Sequence, residues 1–399
     1  MNTLEITFVI LTAIVFYTYI GYGILLFLCV KIKEFFVRSE INNLIPDSDL
    51  PEVSFVIAAY NEEEIIDEKM SNCNSLDYPV HKLKIVWVTD GSNDNSVNLL
   101  SKYPGVNTLH SPERKGKTAA INRAMRFIES PIVIFTDANT MVNSSAVREI
   151  VSCYSNPKVG CVAGEKRIAV RQKDVASSSG EGIYWKYESF LKKYDSRLYS
   201  AVGAAGELFS IRRELFTEME TDTLLDDFVM SMKIAQQGYK IEYCSSAYAY
   251  ETGSENIEEE KKRKVRISAG GLQSIWRLRS LLNVFRNPVL SFQYISHRVL
   301  RWTVTPLALF ALLPLNVLIV LMNPVSTGFI ILLLLQICFY IMGFAGKVLA
   351  DKKVKNKVLF VPYYFLFMNI NVVFGLFYLI RKSKGDGTWE KSKRQSKIS

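Results

Sequence analysis

The stretch 131–140 reads PIVIFTDANT. An apolar run, Ile132 to Phe135, gives way to Thr136-Asp137-Ala138-Asn139. Asp and Asn at a strand end favour turns by bonding their own backbone. They equally stand where open α/β sheets bind ligands, beyond the carboxyl ends of the strands. Two apart on an extended chain, Asp137 and Asn139 share one side. Hard oxygens of this kind suit Mg2+ or Mn2+, and Mg2+ takes one or two carboxylates and completes its shell with substrate phosphates. Lys115 and Lys117 bring positive charge close by. A second acidic pair, Asp226-Asp227, opens a predicted helix in TLLDDFVMSMKIAQQGY (223–239) that ends at Gly238. Acidic residues at a helix start are stabilising in themselves; two carboxylates aimed into a site also supply a general base.

The elements that must position these groups alternate. Val53 to Ala59 and Lys84 to Val88 read as buried strands, Val106 to Leu109 as a weaker one, and Ile132 to Phe135 as the fourth. Helices are predicted to open at Asn61-Glu62-Glu63-Glu64 and to cover Asp94 to Lys102 and Lys117 to Ile128. Strands alternating with helices imply a parallel α/β sheet. Asn61 and Glu62 then follow the first strand, Asp90 the second and Asp137 the fourth, so polar residues collect at one sheet edge as a ligand site. No Gly-x-Gly-x-x-Gly follows the first strand, which argues against a dinucleotide fold. SPERKGKT (111–118) has Ser111 where a phosphate-binding loop needs its first glycine. In GAAGELFSIRREL (203–215), Gly206 and Glu207 sit among small residues that admit close approach of backbone to a ligand, or simply pack as strand and turn.

The chain has 399 residues, of which 49% are hydrophobic, and its mean hydropathy is +0.11. Four runs, Ile6 to Val30, Trp302 to Met322, Phe329 to Gly346 and Val358 to Ile380, are about long enough to cross a bilayer of roughly 30 Å as helices. The first begins with Glu5 and lacks a cleavage site, so it reads as a retained anchor. Lys31, Lys33 and Arg38 after it place the following domain in the cytoplasm, and a cell-membrane location is expected. Pro362, Asn369 and Asn371 leave 358–380 open to a re-entrant or interfacial reading. The six Cys form no Cys-x-x-Cys pair, so neither a zinc site nor a disulfide framework is indicated. The net charge of +9 lies largely in DKKVKNK (351–357) and the C-terminal tail, where it suits lipid headgroups; without a recognition motif, no nucleic-acid partner is expected. EEEKKRKVRISAGGLQSIWRLRSLL (258–282) reads as a solvated charged face passing into an amphipathic surface helix, with 287–302 a second one. The expected organisation is an anchor at 1–32, a catalytic domain at 50–262, interfacial helices at 263–301, membrane helices at 302–380 and a basic tail at 381–399. No internal repeat is seen, and the polar clusters sit in the water-soluble part, unlike a transporter.

From about residue 50 to 302 the chain resembles the membrane-bound family 2 glycosyltransferases, the group of the cellulose, chitin, hyaluronan and poly-N-acetylglucosamine synthases. VSFVIAAYNEE resembles the family's opening strand, VTDGSND carries Asp90 in place of its base- and ribose-binding Asp, and RKGKTAAINRA (114–124) resembles its Gly-Lys-Ala-Asn segment, with Lys117 and Asn122. TDAN stands where the family has an Asp-x-Asp metal motif, LLDDF where it has Thr-Glu-Asp, and RKVRI (263–267) where it has Gln-x-x-Arg-Trp. The resemblance implies an α/β nucleotide-sugar transferase domain, GT-A-like with a Rossmann-type mostly parallel sheet, inserted between transmembrane helices. It implies Asp227 as catalytic base beside Asp226, and Mg2+ or Mn2+ on Asp137 and Asn139. It also implies substrate contacts from Asn61, Glu62, Asp90, Lys117, Asn122, Gly206, Glu207, Arg263 and Arg266. The expected donor is a UDP-sugar and the expected acceptor a growing glycan, with a polyprenyl phosphate or glycolipid as the alternative and a partner subunit for export. Three residues depart from the pattern. Asn139 replaces the second metal Asp, which weakens metal binding; Arg263 replaces Gln; and Ile267 replaces the Trp that stacks on an acceptor sugar, which weakens the case for long processive synthesis.

Overall fold

The computed structural model describes residues 2–37, 45–169, 175–252, 256–352, 354 and 356–381. The basic tail predicted at 381–399 lies, past Arg381, outside them. Among the described residues, eight strands form one sheet: β1 (Val53–Ala59), β2 (Leu83–Asp90), β3 (Asn107–Ser111), β4 (Ile132–Asp137), β5 (Thr140–Val142), β6 (Val159–Ala169), β7 (Phe209–Arg212) and β8 (Lys240–Thr252). Their order is β3-β2-β1-β4-β7-β6-β8-β5. The first four run parallel, β7 is antiparallel to both neighbours, and β6 and β8 pair parallel. The chain winds outward from β1 through β2 and β3, then returns to place β4 on the other flank of β1. That reversal is the topological switch point beside which such sheets bind ligands. The register there sets Ala58 beside Asp137 and Ala59 beside Thr89.

The strands are apolar on both faces because both faces are covered. Successive side chains point to opposite sides. Val53, Phe55 and Ile57 of β1 join Ile132 and Ile134 of β4 in one core, while Val56, Val133 and Phe135 join the other.

Local boundaries differ from the sequence reading where side chains capture backbone. The first helix runs Ile66–Asn74, not from Asn61. Asn61 has φ 52°, in the left-handed region that Asn tolerates, and exchanges two bonds with Asn93, of 2.7 and 3.0 Å. The helix predicted over Asp94 to Lys102 contracts to Ser96–Leu100, with Asp94 accepting from the Ser96 amide. The next helix spans Lys117–Met125.

Among the described residues, four helices are long and apolar enough to cross a membrane: Thr3–Phe36, Val304–Met322, Thr327–Asp351 and Val358–Arg381. The last is continuous, with its buried Asn369 and Asn371 each donating to the carbonyl four residues back, at 2.9 and 2.8 Å. The segment read as a solvated charged face is instead one helix, Ile257–Arg277, that crosses the expected 262/263 boundary and buries Glu259, Glu260, Arg263 and Lys264. Small residues bring it against the Val358–Arg381 helix: a Cβ on Gly375 would stand 2.7 Å from Ser268 Cβ. The charges are tolerated because they pair with one another, Arg263 Nε with Glu260 at 3.1 Å and Lys264 with Glu260 at 3.3 Å. Lys33 of the Thr3–Phe36 helix donates to the carbonyls of Arg197 and Leu198 at 2.7 and 2.9 Å, tying that helix to the domain.

Candidate active site

A cleft of about 310 Å³ opens at the carboxyl ends of β1, β2 and β4. Glu62, Asp90, Lys117, Asp137, Asn139 and Gly206 line it, as do Glu207, Asp226, Asp227, Arg263 and Arg266. The sequence reading named all of these. Two expected substrate contacts fall elsewhere. Asn61 is spent on Asn93, as described above. Asn122 is buried and clamps the Met219 backbone, donating to its carbonyl at 2.7 Å and accepting from its amide at 3.2 Å. Lys115 turns to Glu113 at 2.8 Å in solvent.

At one end, Asp90 is almost fully buried and accepts from the amides of Gly116 at 2.7 Å and Lys115 at 3.0 Å. Gly116 has φ 91°, a conformation that favours glycine. A Cβ on Gly91, at φ 69°, would lie 2.6 Å from Arg114 Cβ. These contacts fold the loop of residues 114–116 over the cleft, where the Arg114 guanidinium lies 3.8 Å from the centroid of the Tyr60 ring.

In the middle, Lys117 Nζ donates to Asp137 Oδ1 at 2.7 Å and lies 3.8 Å from Asp226 Oδ2. Burial pulls the Lys117 ammonium down, but Asp137, Asp226 and Asp227 outweigh it and raise it above the usual lysine range. Asp226 Oδ2 is buried with no hydrogen-bond partner among the described residues. Gly206 leaves room for this group, since a Cβ there would stand 3.2 Å from Lys117 Nζ and 3.3 Å from Asp227 Oδ2. Among the described residues no group of three or more His, Cys, Asp or Glu could hold a metal ion by itself. Asp137 with Asn139 offers a carboxylate and an amide oxygen. That donor set fits a cation sharing a diphosphate and does not fit a protein-only cage.

The far wall carries residues that the sequence reading missed. Lys166 is buried between the carboxylates of Glu207 and Glu251, and Arg263 Nη1 is 3.6 Å from Glu251. Nothing in the spacing of 166, 207 and 251 announces this cluster; the β6–β8 pairing creates it. Against burial, which would raise it, Lys166 and Arg263 hold Glu207 well below the usual carboxylate range. Asp227 behaves in the opposite way. Burial first, then Asp226 and Glu207, push it up to about 7, with Lys117 opposing. Its Oδ1 accepts from the Phe228 amide at 2.8 Å. Of these two, Glu207 is a fixed anion and Asp227 is poised to take a proton near neutral pH. Asp227 also lines a second, larger cavity of about 390 Å³ on the membrane side, so it stands at the junction of the two.

Residues 54–219 match the family model described as glycosyl transferase family 2. The chain is 28% identical over 245 residues to a poly-beta-1,6-N-acetyl-D-glucosamine synthase of Staphylococcus aureus (strain COL), covering 58% of this chain and 58% of that relative. It is 26% identical over 235 residues to the synthase of the same description from Staphylococcus epidermidis, covering 56% of each. The chain thus aligns with little more than half the length of these relatives. In structure it is similar to a mannosyltransferase of Pyrobaculum calidifontis solved with GDP-Man and Mn2+, with a TM-score of 0.70 and 21% identity over 96% of this chain and all of that one. The mixed, mostly parallel sheet, the switch-point cleft and these matches together show a GT-A-like fold, similar over residues 54–219 to the family 2 glycosyl transferases and set between helices long and apolar enough to cross a membrane.

Proposed function

We propose that the protein transfers a sugar, with inversion, from a nucleotide-diphospho-sugar to a hydroxyl of a growing glycan at the cytoplasmic face of the cell membrane. The observation that carries this is the position of Asp227, a carboxyl poised near neutrality between a charged cleft and a second cavity. The donor is a UDP-sugar, with its nucleoside in the Tyr60–Asp90 end of the cleft and its diphosphate toward Lys117 and Arg266. Asp137 and Asn139 would hold Mg2+ or Mn2+, which when bound neutralises charge on the departing diphosphate. The acceptor oxygen bonds to the anomeric carbon as the bond from that carbon to the diphosphate oxygen breaks. The hydroxyl proton passes to Asp227, and the bonding pair leaves with the nucleotide diphosphate. Lys117, already bridging Asp137 and Asp226, supplies fixed positive charge beside the leaving group.

The poly-N-acetylglucosamine synthase relatives support a glycan acceptor. Transfer of one sugar to a lipid is the second reading, favoured by the apolar membrane-side walls of the cavity behind Asp227. The test is release of nucleotide diphosphate by the full chain in a native-like bilayer, across UDP- and GDP-sugars, with and without Mn2+. Metal-dependent release from a UDP-sugar is expected. Release from GDP-sugars alone would overturn the donor assignment, and equal release after exhaustive chelation would overturn the metal role.

A further inference from the structure

One helix that the sequence reading passed over forms a wall of the cavity behind Asp227. It spans Val175–Leu198. Tyr184, Trp185, Glu188 and Lys192 recur on it at intervals of three or four residues, so they share one helix face, and all four line the cavity. Glu188 is engaged, pairing with Arg298, Arg301 and His297. Lys192 is not. It is 5% exposed, yet its Nζ has no hydrogen-bond or ion-pair partner among the described residues. Nor is that atom sealed. It keeps accessible surface, whereas Arg298 Nε and Arg301 Nε are buried without partners among the described residues.

Countercharge is not what Lys192 lacks. Burial pulls its ammonium below the usual lysine range, while Glu188, Glu207 and Asp227 oppose that pull and Arg298 adds to it. Carboxylates are therefore close at hand; an oxygen to receive the hydrogen bond is not. Leaving a charged donor unmet in a buried site is costly, so a donor of this kind on a cavity wall marks where a ligand oxygen sits. An anion entering there meets three carboxylates, which disfavour a further negative charge. An uncharged hydroxyl or amide oxygen meets no such penalty. Tyr187, Tyr364 and Trp302 line the same cavity. Aromatic walls with a few convergent polar groups are the common anatomy of a ligand pocket.

We infer that Lys192 orients the acceptor: its Nζ donates to an oxygen of the terminal sugar of an uncharged glycan held in this cavity, which presents a neighbouring hydroxyl to Asp227. The orienting role rests on the reading of Asp227 as the base and of the acceptor as a glycan; the sugar site itself does not.

The test is equilibrium binding of a neutral N-acetylglucosamine oligosaccharide to the full chain in lipid nanodiscs. UDP affinity, melting temperature, nucleotide diphosphate release and the acceptor KM and kcat are measured on the same samples. Lys192→Met keeps the stem and deletes the donor. It is expected to weaken oligosaccharide binding and raise the acceptor KM about tenfold or more, with UDP affinity unchanged. Its melting temperature should equal or exceed that of wild type, because an unmet buried charge is gone. Lys192→Gln, which keeps an uncharged donor, should recover most of the binding. No oligosaccharide binding by wild type, binding indifferent to Lys192→Met, or a parallel loss of UDP affinity and melting temperature would overturn the inference. Lys192→Gln as weak as Lys192→Met would mean that the ligand needs charge, and would overturn the uncharged acceptor. Lys192-dependent oligosaccharide binding without nucleotide diphosphate release would uphold the sugar site and overturn the transfer reading instead.

Discussion

At the scale of single residues, the account depends on two acidic side chains being driven in opposite directions by their neighbours. Glu207 is held ionised by Lys166 and Arg263, whereas burial and two flanking carboxylates push Asp227 up to about 7. Because the base must be ionised, kcat/KM should be flat above that value and fall about tenfold per pH unit below it. A profile flat from pH 5 to pH 8 would remove Asp227 from the role. Linkage gives an independent sign check. A carboxyl whose folded pKa lies above its unfolded one costs stability as pH rises through the interval between them, about 4 to 7. Asp227→Asn removes that cost, so the variant should melt at or above the wild-type temperature at neutral pH; a lower melting temperature would contradict it. A second residue prediction concerns Asn139. Asn139→Asp should lower the Mn2+ concentration for half-maximal turnover about tenfold by adding a charged hard oxygen, measured by metal titration; no shift would place the cation elsewhere. Glu62, Asp90 and Asp137 were legible in the sequence because each stands at the end of a strand, whereas Arg263 and Arg266, inside a helix, were named only through the family resemblance. Asn61 and Asn122 were misread because an Asn near a site looks the same whether its amide faces a ligand or grips backbone, and only the folded partners Asn93 and Met219 decide it.

At the scale of elements, the alternation of strand and helix specified the parallel half of the sheet, and β1 to β4 fall close to where apolar runs place them. The second half was less legible. β6, β7 and β8 pair across long sequence separations, and no local pattern encodes such pairing. The same pairing assembles Lys166 with Glu207 and Glu251. Beneath the Asp137–Asn139 turn, Lys69 is fully buried and donates to Thr136 Oγ1 at 3.2 Å and to the Thr140 carbonyl at 2.5 Å. Lys69→Met keeps the bulk and deletes both bonds. It should cost about 1–3 kcal/mol of stability, read by denaturant unfolding in detergent, and raise the metal requirement by loosening Asp137. Unchanged stability and metal response would show that the loop holds itself. The helix Ile257–Arg277 teaches the converse lesson. Its charge blocks suit solvent in isolation, but its small residues admit a membrane helix, and the charges then pair internally.

At the scale of the whole molecule, the α/β domain and the apolar helices are joined through a buried polar knot. Asp195 accepts from Tyr22 of the Thr3–Phe36 helix, from Gln293 Nε2 at 3.1 Å, and meets His297 Nδ1 at 2.6 Å. Asp195→Ala deletes these three bonds in a buried site, leaving Gln293 Nε2 only the residue 195 carbonyl and His297 only Glu188, and should cost about 3–5 kcal/mol. Thermal unfolding would show it, with loss of turnover following loss of fold. A melting temperature within error of wild type would mean that the helices dock without it. The four apolar runs were readable from composition, since a bilayer demands length and hydropathy alone. The knot was not, because its members come from three segments far apart in the chain.

The central claim is that Asp227 takes the proton while the cleft binds the donor. Its most direct test is single-turnover transfer by Asp227→Asn from the active UDP-sugar, with donor affinity measured on the same protein. Donor affinity within a few-fold of wild type, with transfer lower by about 100- to 10,000-fold, is the predicted result. A loss of less than about tenfold, roughly 1.4 kcal/mol of barrier, would contradict it.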